Sequence, residues 1–415
     1  MSKSKVRWFT DELAVEMQAR EQIARTASMP FVRGLAVMPD VHLGKGSTVG
    51  TVVATKGAVM PACVGVDIGC GMIAVETTLC AADIQPHAAD IRKGIERRIP
   101  VGIGPYGMNS KLYPATEERI ARLEESAHLA WGNANHMNAR AKDWRMQLGT
   151  LGGGNHFIEI CAGRAIPLEP MEHGREIMYW NQTHPEKVWV ILHSGSRAVG
   201  NKTGAHWTAV AQKQAKKYLY DTYLPDPDLA YLVEHSEEYW TYFAEARWCQ
   251  QFAHHNREEM MQRVLEELTR TVGAFDVPTH INCHHNYVGM EHHDGENLLI
   301  TRKGAISAGT GERGLIPGSM GARSYIVSGL GHAGSYLSAP HGAGRRMSRN
   351  AARKHFTLEG LTAEMAALGI EARIRPQIID EAPGAYKNID MVMFDARELV
   401  MPTHALKQII SVKGD

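Results

Sequence analysis

The chain lacks several things on which whole function classes depend. Its 415 residues hold only six cysteines, Cys63, Cys70, Cys80, Cys161, Cys249 and Cys283, spread too thinly for a disulfide framework. Reduced thiols and a cytoplasmic setting are therefore expected. No stretch of about 18 apolar residues occurs, which argues against a membrane span. The opening "MSKSKVRWFTDELAVEM" has no apolar segment of the secretory kind. A charge excess is missing as well, since Lys+Arg and Asp+Glu both count 45. No global positive field draws in nucleic acid, so an anion-binding surface must be a local patch. The G-x-x-x-x-G-K loop followed by Ser or Thr is absent, so a Walker-type ATPase is not supported.

What remains is a globular composition, 44% hydrophobic and 22% charged, with enough length for a large core. Length alone suggests two or three domains. No repeat, low-complexity linker or shift in composition marks a boundary, however, and glycine- and histidine-bearing loops recur from end to end. Residues 1–415 are therefore read as one domain. Its 21 histidines are roughly twice the usual share. Several stand beside glycine, asparagine or serine, which suits metal or phosphate chemistry better than core filling.

Helical spacing is read in "TDELAVEMQAREQIARTA", behind a Thr-Asp cap, and over 82–98, 116–146, 202–221, 236–272 and 350–368. The stretch from "GLAVMPDVHLGKG" to "GMIAVETT" reads as short strands and tight loops. "VWVILHSGSR" is a buried strand running into a polar loop, and "INCHHNYV" and "ENLLITRKGAIS" are further strands.

Five segments combine a metal-ligand side chain with glycine or asparagine. They supply Asp67 and Cys70; Asn155, His156 and Glu159; His193 and Arg197; His284, His285 and Asn286; and Asp40, His42 and Lys45. Three imidazoles, a thiolate and a carboxylate suffice for one or two divalent ions, and on donor type alone zinc would fit best. Any one segment reads as well as ordinary packing, with His42 and His280 the plainest such cases. Their joint placement at glycine loops favours a site. Cys63, Cys80, Cys161 and Cys249 are read as plain thiols. Arg197, Arg302, Lys303, Arg345, Arg346 and Arg349 flank the same loops, whereas "RKGIERR" at 92–98 is read as solvated surface. In "SAPHGAGRRMSR", His341 stands between small residues and arginines, as a group pressed against a phosphate would.

With these segments assembled, the chain resembles the RtcB family of RNA-splicing ligases. The resemblance rests on "MPDVHLGKGS", "GVDIGCGM", "LGTLGGGNHFIEI", "LHSGSR", "INCHHNYV", "TRKGAIS", "IPGSMG", "HGAGRRMSR", "AYKNID" and the final "VKG", in order from 38 to 414. The length is similar to that of the shorter bacterial members. Pro340, before the histidine, and Gly309 and Thr310 depart from the pattern.

The resemblance implies an α+β fold with mixed sheets flanked by helices and a deep di-metal and nucleotide cleft. It implies a GTP-dependent ligase with two Mn(II) ions, joining RNA 3′-phosphate or 2′,3′-cyclic phosphate ends to 5′-hydroxyl ends in tRNA splicing or RNA repair. His341 would accept GMP and Asp40 would orient it. Asp67, Cys70, His156, His193 and His285 would bind the metals. Asn155, Phe157, Ile158, Asn286, Pro317, Gly318, Ser319, Met320, Gly342, Ala343 and Gly344 would hold the nucleotide. Glu159, Ser324 and Lys413, with Tyr386 nearby, would read the guanine. Arg197, Arg345, Arg346 and Arg349 would meet RNA phosphates. The expected partner is a broken RNA, with an archease-type activator as a candidate, no membrane, and a monomeric state. Two other classes compete: a di-metal phosphoesterase, which needs no covalent histidine, and a non-catalytic RNA- or nucleotide-binding protein.

Overall fold

The computed structural model describes residues 4–101, 115–132, 140, 142–166 and 186–414. In chain order the strands begin with β1 (Val6–Trp8), β2 (Val32–His42), β3 (Val49–Thr55), β4 (Ala58–Val59), β5 (Gly71–Glu76) and β6 (Phe157–Ala165). They continue with β7 (Lys187–Ser194), β8 (Leu232–Val233), β9 (Thr279–His284), β10 (Asn286–His293), β11 (Glu296–Lys303) and β12 (Ala305–Ser307). The last are β13 (Arg313–Ile316), β14 (Ser324–Gly329), β15 (Ser338–Pro340), β16 (Glu371–Ala372) and β17 (Val400–Lys413). The principal helices are α1 (Met17–Ala27), α2 (Ala88–Arg98), α3 (Glu117–Trp131), α4 (Arg197–Lys217), α5 (Glu237–Val272), α6 (Arg349–His355), α7 (Leu358–Ala367) and α8 (Ile389–Asp395).

The larger sheet runs β13-β14-β17-β6-β7-β5-β9, with β16 beside β17. Its edge strands approach each other, Arg313 Nη1 donating to Thr279 Oγ1 at 3.4 Å, so the sheet nearly closes on itself. Strand β7 is an unbroken apolar run from Val188 to Leu192, as a strand buried on both faces must be, before it ends in His193 and Ser194. One face packs Met72, Phe157, Trp189, Ile191, Leu315 and Leu406 inside the curved sheet. The alternating residues Ile73, Val75, Val190 and Leu192 face outward onto α2 and the long α5, through Ile91, Met260, Val264 and Leu268. A five-stranded sheet, β1-β2-β3-β11-β10, and the two-stranded β12-β15 stand beside it. This is a mixed α+β architecture. No helix among the described residues is long and apolar enough to cross a membrane.

Local chemistry shifts some expected boundaries. Asp11 caps only the short turn Glu12–Ala14, because extended Val15 interrupts the chain before α1 starts. The 350–368 helix is two helices, since Thr357 leaves the helical conformation and its side chain accepts from Gly360 N to start α7. The 116–146 reading holds for α3, which ends at Gly132, and for Trp144–Gln147; residues 133–139 and 141 lie outside the described residues. The "RKGIERR" surface reading holds for the exposed Lys93 and Arg97 but fails for Arg92 and Arg98. Arg92 Nε meets Glu371 at 2.7 Å, and Arg98 Nε meets the fully buried Glu267 at 2.8 Å, fixing α2 against β16 and α5.

Candidate active site

Strand register gathers residues that are far apart in sequence. In the antiparallel pairs Met72 lies opposite both His193 and Cys283, and Phe157 lies opposite both His193 and Lys413. The start of β5, the start of β6, the end of β7 and the ends of β9 and β17 therefore share one rim of the sheet. Cys70, His156, His193 and His285 sit at those strand ends. Their loops need glycine: a Cβ on Gly195 would stand 2.2 Å from Asp67 Oδ1.

On this rim two triads of ligand atoms cluster, Cys70–His193–His285 and Asp67–Cys70–His156, with Cys70 common to both. Cys70 Sγ is 3.2 Å from His193 Nε2 and 3.4 Å from His156 Nε2. His193 Nε2 is 3.0 Å from His285 Nε2, and His156 Nε2 is 3.2 Å from Asp67 Oδ2. Atoms so spaced fit around cations at the usual distances of about 2.0–2.3 Å. The second ring nitrogens are partly tied back: His193 Nδ1 to Asn155 O at 3.1 Å and His285 Nδ1 to Asn286 Oδ1 at 3.3 Å. His156 Nδ1 is buried without a hydrogen-bond partner among the described residues.

The electrostatics suit a cation-binding site held by its protons. Burial, reinforced by the Asp67 carboxylate, raises the Cys70 thiol well above its ordinary range. Burial, followed by neighbouring imidazoles, pushes His193 and His285 far down, so both stay neutral. At Asp67 burial works upward, but the hydrogen bond and charge of His156 outweigh it and hold the carboxyl low. A divalent cation would displace the thiol proton, and the N, O and S donors fit such an ion.

Across from the cluster stands His341. Strand β15 pairs with β12 and delivers the histidine at its end; Pro340 lies opposite Ala305, whose N–H instead donates to His285 O at 3.1 Å. The His341 ring lies 4.6 Å from that of His285, centre to centre. Its Nδ1 and backbone N both contact the fully buried Asp40 Oδ2, at 2.6 and 3.1 Å. Gly344, with φ of +72°, lets the chain pass the Asp40 carbonyl, where a Cβ would come to 2.2 Å.

Both groups face a cavity of about 830 Å³. Asp67, Cys70, His193, His285 and His341 are on its wall, as are Asn155, Phe157, Asn286, Pro317, Gly318, Ser319, Gly342, Ala343, Gly344, Tyr386 and Lys413. Ile158, Glu159, Met320 and Ser324 lie within the protein behind that wall. Glu159 accepts there from Gln408 Nε2 and Ser411 Oγ, at 3.2 and 3.3 Å, and its burial raises the carboxyl's pKa. His156 is buried beside Asp67. Gly309 and Thr310 are at a turn away from the wall, closed by Glu312.

The arginines divide. Arg346 is exposed on the cavity wall, its Nε donating to Gly384 O. Arg345 and Arg349 line the cavity but are also bound by carboxylates: Arg349 Nη1 lies 2.7 Å from Asp380 Oδ2 and 2.8 Å from Glu381 Oε1, and Arg345 Nη1 lies 3.4 Å from Glu381 Oε1. Arg197 opens α4 with φ of +58° and donates to Thr150 Oγ1 at 3.1 Å. Arg302 is not an anion ligand: it is buried against Glu291 and Tyr336 O. Lys303 reaches the cavity from a buried seat among the carbonyls of Lys45, Ser47 and Ala62, where burial lowers its pKa to about 8.

Sequence reading missed or misjudged four groups. His42 is on the cavity wall, its Nδ1 2.9 Å from Asp40 O. Asp380 and Glu381, almost fully buried, anchor the arginine loop, and Glu381 also accepts from Tyr386 Oη at 2.6 Å and lies 3.6 Å from Lys413 Nζ. Arg257 on α5 binds Gly69 O and Ser194 O, at 2.9 and 3.0 Å, locking two ligand loops to the helix. A charged residue amid apolar helix positions was the available signal for Arg257; nothing local marked Asp380 or Glu381.

A His/Cys/Asp cluster able to hold a metal ion, facing a carboxylate-braced imidazole across a cavity of about 830 Å³, defines the class: a protein with the candidate active site of a metal-binding enzyme. The family described as tRNA-splicing ligase RtcB matches residues 22–414, and the chain belongs to that family of RNA ligases. It is 42% identical to the RNA-splicing ligase RtcB of Escherichia coli K12, over 99% of this chain and 97% of the relative. It is 30% identical to the RNA-splicing ligase RtcB of Mycobacterium tuberculosis, over 90% and 94%. To the tRNA-splicing ligase RtcB of Aeropyrum pernix it is 29% identical, over 92% and 89%.

Proposed function

We propose that this protein is a GTP-dependent RNA ligase that joins 3′-phosphate or 2′,3′-cyclic phosphate ends to 5′-hydroxyl ends through a histidine–GMP adduct, in tRNA splicing or RNA repair. The observation that carries the reading is His341: one ring nitrogen is bound by Asp40 at 2.6 Å, and the ring lies on the cavity wall beside the ligand cluster. A carboxylate partner makes Nδ1 the donor and leaves the Nε2 lone pair for attack.

Asp67, Cys70, His156, His193 and His285 would hold two Mn(II) ions, the identity of the metal following the family and not the donors. When bound, the ions would draw negative charge from the phosphates. The rest is work for the chain's own side chains. His341 attacks the α-phosphorus of GTP; the N–P bond forms as the bond to the bridging oxygen breaks, and pyrophosphate leaves. Asp40 holds the Nδ1 proton and steadies the positive charge that develops on the ring. An RNA 3′-phosphate oxygen then attacks the same phosphorus, breaking the N–P bond and giving RNA–ppG. Finally the 5′-hydroxyl attacks the RNA phosphate and GMP departs.

Small residues at 342–344 leave room for in-line approach. Asn155, Phe157, Asn286 and the 317–320 loop hold the nucleotide, and Lys413 and Tyr386, with Glu159 and Ser324 behind them, read the guanine. Arg346, with Arg197, Arg345 and Arg349, would contact RNA phosphates.

The test is a joining assay with GTP, Mn(II) and an RNA pair bearing 3′-phosphate and 5′-hydroxyl ends. A joined product, with a label from α-labelled GTP on the protein that is acid-labile and alkali-stable, is expected. Phosphate release with neither product nor label would sink the proposal in favour of a phosphoesterase.

A further inference from the structure

One wall of the cavity is flanked by lysines that the reaction above leaves unused. Helix α4 holds Arg197, Lys202, Lys213, Lys216 and Lys217 and no Asp or Glu across its 21 residues, in a chain whose basic and acidic side chains balance. Ala205, Thr208, Ala209 and Gln212 line the cavity. Their i, i+3, i+4, i+7 spacing makes one stripe of the helix surface. Continued in both directions, the stripe reaches Lys202, three residues before Ala205, and Lys216, four after Gln212, with Lys213 alongside. These lysines are exposed, and none forms an ion pair among the described residues. Lys202 and Lys216 stand ~21 Å apart at 1.5 Å per residue.

Between them the floor is small, with Ala205 and Ala209 themselves exposed. The nearby acids are engaged. Asp228 accepts from Gln212 Nε2 at 3.0 Å, Asp226 faces Arg25 at 3.7 Å, and Glu16, also on the cavity wall, accepts from Leu43 N at 3.2 Å. Between Lys202 and Lys216 the stripe carries one charge and no exposed aromatic or aliphatic anchor, the exposed Tyr218 and Leu219 lying just beyond its end; such a surface suits a sugar–phosphate backbone better than a protein partner.

We propose that α4 is the track along which single-stranded RNA runs from the cavity, with Lys202, Lys213 and Lys216 meeting successive phosphates. The inference rests on the ligase reading but is tested apart from it. The probe is a fluorescent single-stranded RNA ending in a 3′-phosphate, its binding to the full chain followed by anisotropy over a salt series. Lys202→Gln/Lys213→Gln/Lys216→Gln is expected to bind at least tenfold more weakly at low salt. Its log–log salt slope should be shallower by about 2, at roughly 0.7 per phosphate contact. Lys93→Gln/Lys407→Gln, outside the cavity wall, should bind as the unsubstituted protein does. GMP labelling, which uses no RNA, reports that the triple variant is folded. Unchanged affinity and slope in the triple variant would overturn the track, and so would an unsubstituted protein that takes the label yet fails to bind RNA. RNA binding that depends on α4 in a protein that takes no label would support the track and remove the GTP reading instead.

Discussion

Asp40 grips His341 twice through a single oxygen: Oδ2 accepts from the backbone N at 3.1 Å and meets Nδ1 at 2.6 Å. The carboxylate is fully buried, and its other oxygen, Oδ1, has no hydrogen-bond partner among the described residues. Asp40→Asn keeps the shape and removes the charge. Charge-assisted hydrogen bonds contribute about 1.5–3 kcal/mol, so guanylylation is expected to slow about 10- to 150-fold with the fold intact. Single-turnover labelling gives the rate, and an unchanged rate would take Asp40 out of the mechanism.

Cys70 belongs to both ligand triads, whereas His156 belongs to one. Cys70→Ala should therefore weaken both cation sites and His156→Ala only one. Metal titration followed by calorimetry should show two equivalents per chain reduced to one in His156→Ala. Equal losses in the two variants would contradict the shared-thiolate arrangement.

Arg257 is buried among the carbonyls of Gly69 and Ser194. Arg257→Met leaves the Ser194 carbonyl without this donor and frees both ligand loops from α5. A loss of about 3 kcal/mol in urea unfolding is expected, with weaker metal binding. A variant as stable as the parent would show that the loops hold themselves.

Acid should weaken the fold at His42. Burial lowers this imidazole from 6.5 to about 4, outweighing the hydrogen bond to the Asp40 carbonyl that works upward. The unfolded chain takes up the proton near 6.5 and the folded chain only near 4. Unfolding thus binds a proton across that interval, so stability is full above 6.5 and falls as the pH drops toward 4. Between pH 7 and pH 5 the loss should reach up to about 2 kcal/mol, and His42→Gln should lack that share. Parallel stability–pH curves for the two proteins would disprove it.

The ligand side chains were legible because each sits beside glycine or asparagine in a loop ending a strand, a local pattern. Their convergence was not, since it depends on register between strands distant in sequence: His193 lies opposite both Phe157, 36 residues before it, and Met72, 121 residues before it. The arginines show the same limit. Arg345 and Arg349 read as free cations because Asp380 and Glu381 lie some thirty residues further on, and Arg302 read as a loop cation although its strand buries it. Helix α5 was readable directly from periodicity, the expected 236–272 matching Glu237–Val272.

The central claim is that His341 itself carries GMP. Peptide mapping by mass spectrometry, after incubation with GTP and Mn(II) and handling at alkaline pH, tests it most directly. The expected result is one GMP on the peptide containing His341, absent when His341→Gln is treated alike; a modified peptide elsewhere, or an unmodified protein that still joins RNA, would contradict it.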